Sequence, residues 1–176
     1  MSRLPRKPVF STLTDAESRT LLGRNHAGRV AFLSGRVVEI EAVHYVLDDG
    51  WLFARSAEGL KLDAFAHNPY VAFEVDEIEG TFDWCSVVAH GTVYVMSNDD
   101  GRVDEPQLER ALDALRSFIP EALTSDDPTP YRRTVYGIHI DKLQGRRAEQ
   151  RRRSSRRDLT HVDDVPARRP RTPDGF

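Results

Sequence analysis

The chain has 176 residues, enough for one domain with a hydrophobic core, and 30% of them are charged. Its one cysteine, Cys85, excludes an internal disulfide and a thiolate metal cluster. No stretch approaches the ~18 consecutive apolar residues of a membrane span, and the N-terminal residues contain no apolar secretory block. We therefore expect a soluble, cytoplasmic protein that does not associate with membranes.

The formal net charge of −3 combines two segments of opposite sign. Residues 1–145 carry 15 Lys and Arg against 23 Asp and Glu, whereas residues 146–176 carry 10 Arg against 5 Asp and Glu. The second segment is poor in apolar residues, so burial cannot offset the entropy lost on ordering. We predict an N-terminal arm at 1–13, one globular domain at 14–145 and a disordered, arginine-rich tail at 146–176. The tail lacks interleaved aromatic residues, so we do not expect it to bind nucleic acid.

The first predicted helix begins at a capping box. Thr14 and Glu17 have the spacing at which a hydroxyl and a carboxylate each satisfy a backbone donor at a helix start. We predict a helix from about residue 15 to 26, ended near Gly28.

Alternating apolar and polar residues then predict a meander of strands. The sequence RVAFLSGRVVEIEAVHYVLDDGWLFARS is interrupted by turn signals at Ser34-Gly35 and Asp49-Gly50. Asp-Gly between two apolar runs favours a hairpin, because both residues tolerate positive φ. Three strands are expected, near residues 28–33, 36–48 and 50–56.

Two more helices and three more strands follow. EGLKLDAFAHNP predicts a short helix closed by Asn68-Pro69, since the residue before proline avoids the helical region, and DEPQLERALDALRSFIP predicts an amphipathic helix. YVAFEVDEI, FDWCSVVAHGTVYVM and RRTVYGIHIDKL read as strands. Six antiparallel strands with few helices favour a small barrel, which leaves no sheet edge open. The acidic residues on the strands are expected to form a solvated surface: Glu39, Glu41, Glu74, Asp76, Glu77 and Glu79.

Residues 50–69 suggest an anion site. Arg55 and Ser56 end a strand, Gly59 permits close backbone approach, and Lys61 lies in the first turn of the next helix. Helix N-termini present unpaired N–H groups and a partial positive charge, which suit a phosphate dianion, and the basic side chains add donors. The alternative is that these basic side chains are simply solvated.

Taken in order, several segments resemble a known family. GRVAFLS, EIEAVHYVLDDGWLFARSAEGLKLDAFAHNPYVAFEVDE and FDWCSVVAHGTVY are similar to the flavin-binding split-barrel superfamily that contains pyridoxamine 5'-phosphate oxidase, and most similar to its nitroimidazole-reductase-like branch. The resemblance covers roughly residues 14–145. It implies a mainly β fold, a six-stranded antiparallel split β-barrel with a few short helices. It also implies a homodimer that binds flavin mononucleotide (FMN) in clefts between the subunits.

The resemblance assigns roles to the two sides of the flavin. Arg55, Ser56 and Lys61 match the strand end and helix start that hold the phosphate. Ser86 matches a polar position that reaches the isoalloxazine ring from the other side, and Trp84 is expected close to it.

The resemblance also implies that the strand before residues 50–69 runs along the edge of the flavin. The backbone of Val43, His44 and Tyr45 is expected to contact the flavin there. His44 is the candidate catalytic residue, because an imidazole titrates near neutral pH and can donate a proton or contact the substrate. The alternative is a strand histidine satisfied by a backbone carbonyl.

Two departures from the family pattern narrow the prediction. Ala42 stands where many relatives have proline, and the C-terminal arginine and histidine motif of the true oxidases is not evident. We therefore do not expect oxidation of a vitamin B6 phosphate. The histidines show no pair at short metal-ligand spacing, so no metal site is expected.

The predicted function is an FMN-dependent oxidoreductase that reduces nitroaromatic or quinone-like compounds. Two alternatives stay open: a reductase that uses the deazaflavin F420 on the same fold, and a non-enzymatic protein that binds flavin or haem.

Overall fold

A computed structural model of the chain describes residues 7–96 and 105–150. The strands are β1 (Pro8–Leu13), β2 (Ala27–Ser34), β3 (Val37–Asp48), β4 (Trp51–Ser56), β5 (Tyr70–Gly80), β6 (Asp83–Val95) and β7 (Thr134–Gln150), and the helices are α1 (Asp15–Arg24), α2 (Leu60–His67) and α3 (Glu105–Phe118). None of the described helices is long and apolar enough to cross a membrane.

Six of the strands close into an antiparallel barrel. Their order is β7-β4-β3-β2-β5-β6, and the pairing of β6 with β7 completes the ring. Closure leaves these strands with neighbours on both sides over much of their length, which satisfies backbone groups that an open sheet would expose. The predicted mainly β, six-stranded antiparallel barrel is confirmed.

A seventh strand, β1, lies outside the ring and pairs with the end of β7. Pro8–Leu13 faces Gly145–Gln150 along an antiparallel ladder. The predicted arm at 1–13 therefore contains a strand, and the predicted boundary at 145 falls inside β7. Composition misplaced this boundary because residues 146–150 gain their order from backbone ladders rather than from a buried apolar face: all five pair with β1, and the first three also pair with β6. Residues 151–176, the rest of the predicted tail, lie outside the described residues.

The predicted capping box and the predicted Asp-Gly turn are both present in the structure. Thr14 Oγ1 accepts from the Glu17 backbone N–H at 3.2 Å, and Glu17 Oε2 accepts from the Thr14 N–H at 2.8 Å, which forms the capping box. The hairpin between β3 and β4 turns through Asp49 and Gly50, both at positive φ. Helix α1 ends at Arg24, earlier than predicted, because β2 begins at Ala27.

The barrel wall separates two hydrophobic clusters. The interior is filled by side chains such as Tyr45, Phe73 and Tyr136, and α2 closes one end of it by inserting Phe65. The second cluster lies on the outer face, where α3 covers Phe53 and neighbouring residues of β3 and β7. Successive residues of a strand point to opposite faces, so adjacent residues of β4 belong to different clusters.

Candidate functional site

The barrel opens where β3 and β4 part. These strands pair from Tyr45 to Asp48 opposite Trp51–Ala54, whereas β3 continues its pairing with β2 back to Val37. Extending the β3–β4 register would place Val43 opposite Ser56, but at that point the chain leaves β4, turns through Gly59 at φ 143° and enters α2. The open edge of β3 and the start of α2 thus bound a notch, here called the β3–α2 notch (Glu41, Val43, Ser56 and Lys61).

Lys61 bridges this notch. It lies in the first turn of α2, on the helix face that also carries Phe65 into the core, and it is buried. Its Nζ donates to Glu41 Oε2 at 2.8 Å. Glu41 lies on the same face of β3 as Val43 and Tyr45, which places its side chain at the barrel opening. Glu41 is partly exposed, with 42% of its side chain accessible to solvent, and its ion pair with Lys61 was not predicted.

Arg55 lies on the other side of the barrel wall. Its partner across β7 is Val135, a member of the outer cluster, and its guanidinium donates through both terminal nitrogens to Asp127, in the loop after α3. Arg55 Nη2 also donates to Thr129 Oγ1 at 2.9 Å. The side chains of Arg55 and Asp127 are only 6% and 1% exposed. The structure therefore does not bring the three predicted phosphate ligands onto one face.

The Asp127 carboxylate also accepts hydrogen bonds from the backbone of its own loop. Besides Arg55, it accepts from the backbone N–H groups of Leu123 at 2.7 Å and Thr129 at 2.8 Å. The Arg55 hydrogen bonds, helped by these backbone donors, hold the pKa of the Asp127 carboxyl well below its usual range. Arg55 thus anchors the loop after α3 to β4. Nothing in the sequence around Asp127 signalled this pairing.

The predicted ring residues of β3 divide between core and surface. The side chains of Val43 and Tyr45 are buried in the barrel, where the Tyr45 hydroxyl donates to the Leu22 carbonyl at 2.6 Å. Their backbone is paired with β2 as well: the Tyr45 N–H donates to the His26 carbonyl at 3.0 Å, and Val43 is opposite Gly28. A contact between this backbone and a flavin stays a prediction. His44 points outward, is exposed, and lies with its ring 6.2 Å from that of Phe118 at the end of α3.

Ser86 and Trp84 lie on the outer face of β6, beside β7 and β1. In this sheet Ser86 is opposite Arg146, which in turn is opposite Thr12, and the three residues line a groove of about 370 Å³. The Trp84 ring is 6.3 Å from that of Phe10 in β1. Thr12 and Arg146 were missed because the sequence placed them in an arm and a tail; we call this cavity the β6–β7 groove (Thr12, Ser86 and Arg146).

The notch and the groove are far apart within one chain. Ser56 pairs with Thr134 near the start of β7, whereas Ser86 pairs with Arg146 near its end. At about 3.3 Å per residue, this separation is roughly 40 Å along the strand. Lys61 and Ser86 of one protomer therefore cannot both contact the same flavin mononucleotide.

One buried polar group beneath the notch was not predicted. The Tyr136 hydroxyl has no hydrogen-bond partner in the described part of the chain, and the residue is fully buried. Its ring packs on Phe65 with centroids 5.4 Å apart. Burial, and secondarily the negative charge of Glu41, raise the pKa of the Tyr136 phenol.

Comparison with known proteins agrees with this architecture. A family model described as pyridoxamine 5'-phosphate oxidase matches residues 14–147. No curated protein matches the sequence. A solved FAD-binding protein from Mesorhizobium loti has 24% sequence identity and a TM-score of 0.63, and the match covers 80% of this chain and 99% of that one.

Two further solved structures share the fold. A candidate 5-nitroimidazole antibiotic resistance protein from Bacteroides thetaiotaomicron has 16% identity, 82% and 93% coverage of the two chains and a TM-score of 0.59. A haem-binding protein from Mycobacterium smegmatis has 15% identity, coverage of 76% of this chain and 56% of that one, and a TM-score of 0.59. Because each of these three structures is less than 25% identical to this chain, the similarity establishes a shared fold.

Proposed function

Because this chain belongs to the pyridoxamine 5'-phosphate oxidase family, we propose that it binds FMN and acts as an oxidoreductase on nitroaromatic or quinone-like compounds. The family predicted from the sequence is confirmed by the match over residues 14–147. The main support for the proposal in this chain is the position of Lys61, which is buried at the start of α2 and next to the open edge of β3.

The phosphate half of the proposed site is the β3–α2 notch. The first N–H groups of α2 have no partners within the helix, and together with the Lys61 ammonium they suit a phosphate dianion. The Ser56 hydroxyl supplies a further donor beside them. We give Arg55 a supporting role, because its guanidinium is already bound to Asp127 on the opposite face of the barrel wall.

The ring half of the proposed site comes from a second copy of the chain. Since Lys61 and Ser86 lie at opposite ends of β7, a flavin that touches both requires two protomers. We therefore propose a homodimer in which the notch of one protomer faces the β6–β7 groove of its partner. Ser86 would then hydrogen-bond the isoalloxazine ring, and Trp84 would cover it.

The chemistry divides between cofactor and protein. Bound flavin supplies two-electron redox chemistry, while the protein binds, orients and shields it. The open backbone edge from Glu41 to His44 offers donors and acceptors to the ring. His44 is the proposed proton donor on the substrate side, since its imidazole is exposed on the outer face of β3 and carries N–H groups that can donate.

The composite site can be tested by complementation. Lys61→Ala should lose phosphate binding and Ser86→Trp should fill the groove, so each variant alone should bind FMN poorly. A dimer that contains one protomer of each variant has one intact site of two. Unfolding equal amounts of the two variants together and refolding them should make about half of the dimers mixed, so FMN binding should recover to roughly a quarter of the wild-type stoichiometry. Failure to recover any binding while size-exclusion chromatography shows dimers would contradict a shared site.

Cofactor and reaction are tested in sequence. The absorption spectrum of the purified protein should show flavin, and titration should give tighter binding of FMN than of F420 or haem. Stopped-flow measurements should then show the reduced flavoprotein reoxidised faster by nitroaromatic or quinone acceptors than by oxygen. If the spectrum shows a deazaflavin or haem, the proposed cofactor is wrong. If no acceptor reoxidises the reduced protein faster than oxygen does, the proposed reductase activity is wrong.

A further inference from the structure

The lysine on which the proposed phosphate site depends already has an anionic partner. Glu41 Oε2 accepts from Lys61 Nζ at 2.8 Å. The Lys61 side chain is 10% exposed, whereas that of Glu41 is 42% exposed. The cation is therefore fixed by its surroundings, while its carboxylate partner has solvent into which it can turn.

Among the described residues, the hydrogen bond of the Glu41 carboxylate is the one from Lys61. The buried Tyr136 hydroxyl on the inner side of the notch makes no hydrogen bond in the described part of the chain, so it does not hold the carboxylate. The open edge of β3 also leaves Glu41 without a facing residue from β4, whose pairing with β3 begins at Tyr45. Lys61 is thus the contact that keeps Glu41 in the notch.

A phosphate bound to Lys61 would come within a few ångströms of this carboxylate. Like charges at that separation repel strongly where protein replaces part of the water around them. Either Glu41 leaves Lys61 or the phosphate binds beside a like charge, and both outcomes weaken phosphate binding. Riboflavin has the same ring and ribityl chain without the phosphate, so its binding carries neither cost.

We propose that Glu41 is a specificity-determining residue of this site, whose carboxylate competes with the flavin phosphate for Lys61 and lowers the preference for FMN over riboflavin. This proposal rests on the proposed flavin function and identifies a residue that sets its selectivity. It also explains why a phosphate notch carries an acidic side chain at its opening.

The test compares FMN and riboflavin binding to full-length, cofactor-stripped wild type, Glu41→Gln and Glu39→Gln by quenching of flavin fluorescence. Glu41→Gln keeps the shape of the side chain and removes the competing charge, so FMN should bind about tenfold more tightly, as expected for loss of one charged competitor. Riboflavin affinity should change less than about twofold. Glu39→Gln, which makes the same charge change two residues away on the same face of β3, should leave both affinities unchanged.

Two further measurements make the outcome decisive. Glu41→Ala should show the same gain, and melting curves should confirm that each variant is folded. In a Lys61→Met background there is no cation for which Glu41 and the phosphate could compete, so Glu41→Gln should not increase FMN affinity. An unchanged ratio of FMN to riboflavin affinity in Glu41→Gln, or a gain that persists without Lys61, would overturn the proposal. Wild type that binds neither flavin would instead overturn the proposed function.

Discussion

The buried ion pair between Arg55 and Asp127 makes a quantitative prediction about Arg55→Ala. The substitution would leave the Asp127 carboxylate, 1% exposed, with two backbone donors and no countercharge. Removing one partner of a buried pair usually costs about 3–5 kcal/mol of unfolding free energy. Because a single loop covers this pair, we expect about 3 kcal/mol, which corresponds to a Tm lower by roughly 10 °C for a chain of this size.

Urea unfolding followed by circular dichroism measures this loss, and Arg19→Ala provides the matched control. Arg19 pairs with Asp15 one helical turn away, but the two side chains are 44% and 67% exposed. An exposed pair of this kind contributes about 0.3–0.5 kcal/mol, so the two arginine deletions should differ severalfold.

Flavin titration of the same proteins separates the two roles of Arg55. If Arg55 anchors the loop, folded Arg55→Ala should bind FMN within about threefold of wild type, whereas Lys61→Ala should bind about tenfold or more weakly. Wild-type stability combined with lost FMN binding in Arg55→Ala would refute this reasoning. Such a result would make Arg55 a phosphate ligand, as the family resemblance implies.

Two other predictions concern buried polar groups. Tyr136→Phe should leave the protein as stable as wild type or up to about 1 kcal/mol more stable, because the deleted hydroxyl has no hydrogen-bond partner among the described residues. Tyr45→Phe should cost about 1 kcal/mol, because it removes a buried hydrogen bond. Urea unfolding tests both variants, and a larger loss of stability in Tyr136→Phe than in Tyr45→Phe would contradict the assignment. The low pKa of Asp127 in the folded protein means that its ionised form contributes stability above about pH 4, the ordinary carboxyl value, and that this contribution is lost as the pH falls toward the folded pKa. The stability difference between wild type and Asp127→Asn, measured by urea unfolding at a series of pH values, should therefore shrink below about pH 4, and a difference that is constant with pH would contradict the ion pair.

Local sequence patterns predicted the barrel well because each of its elements carries its own signal. Alternation identified the strands, and the Asp49-Gly50 pair and the Thr14 capping box fixed a turn and a helix start. The strand β1 and the last five residues of β7 were missed, since their order comes from neighbouring backbones rather than from a buried apolar face. Composition alone cannot distinguish a charged strand of this kind from a disordered segment.

The site was harder to predict because its two cations look alike in sequence and differ in their partners. Arg55 is joined to Asp127, 72 residues later in the chain, and Lys61 is joined to Glu41, 20 residues earlier. An anion that approached Arg55 would have to displace a carboxylate held by two guanidinium and two backbone donors. An anion that approached Lys61 would displace a carboxylate that is held there by one hydrogen bond and is 42% exposed. The difference in displacement cost, rather than the basic residues themselves, makes Lys61 the better candidate for the phosphate.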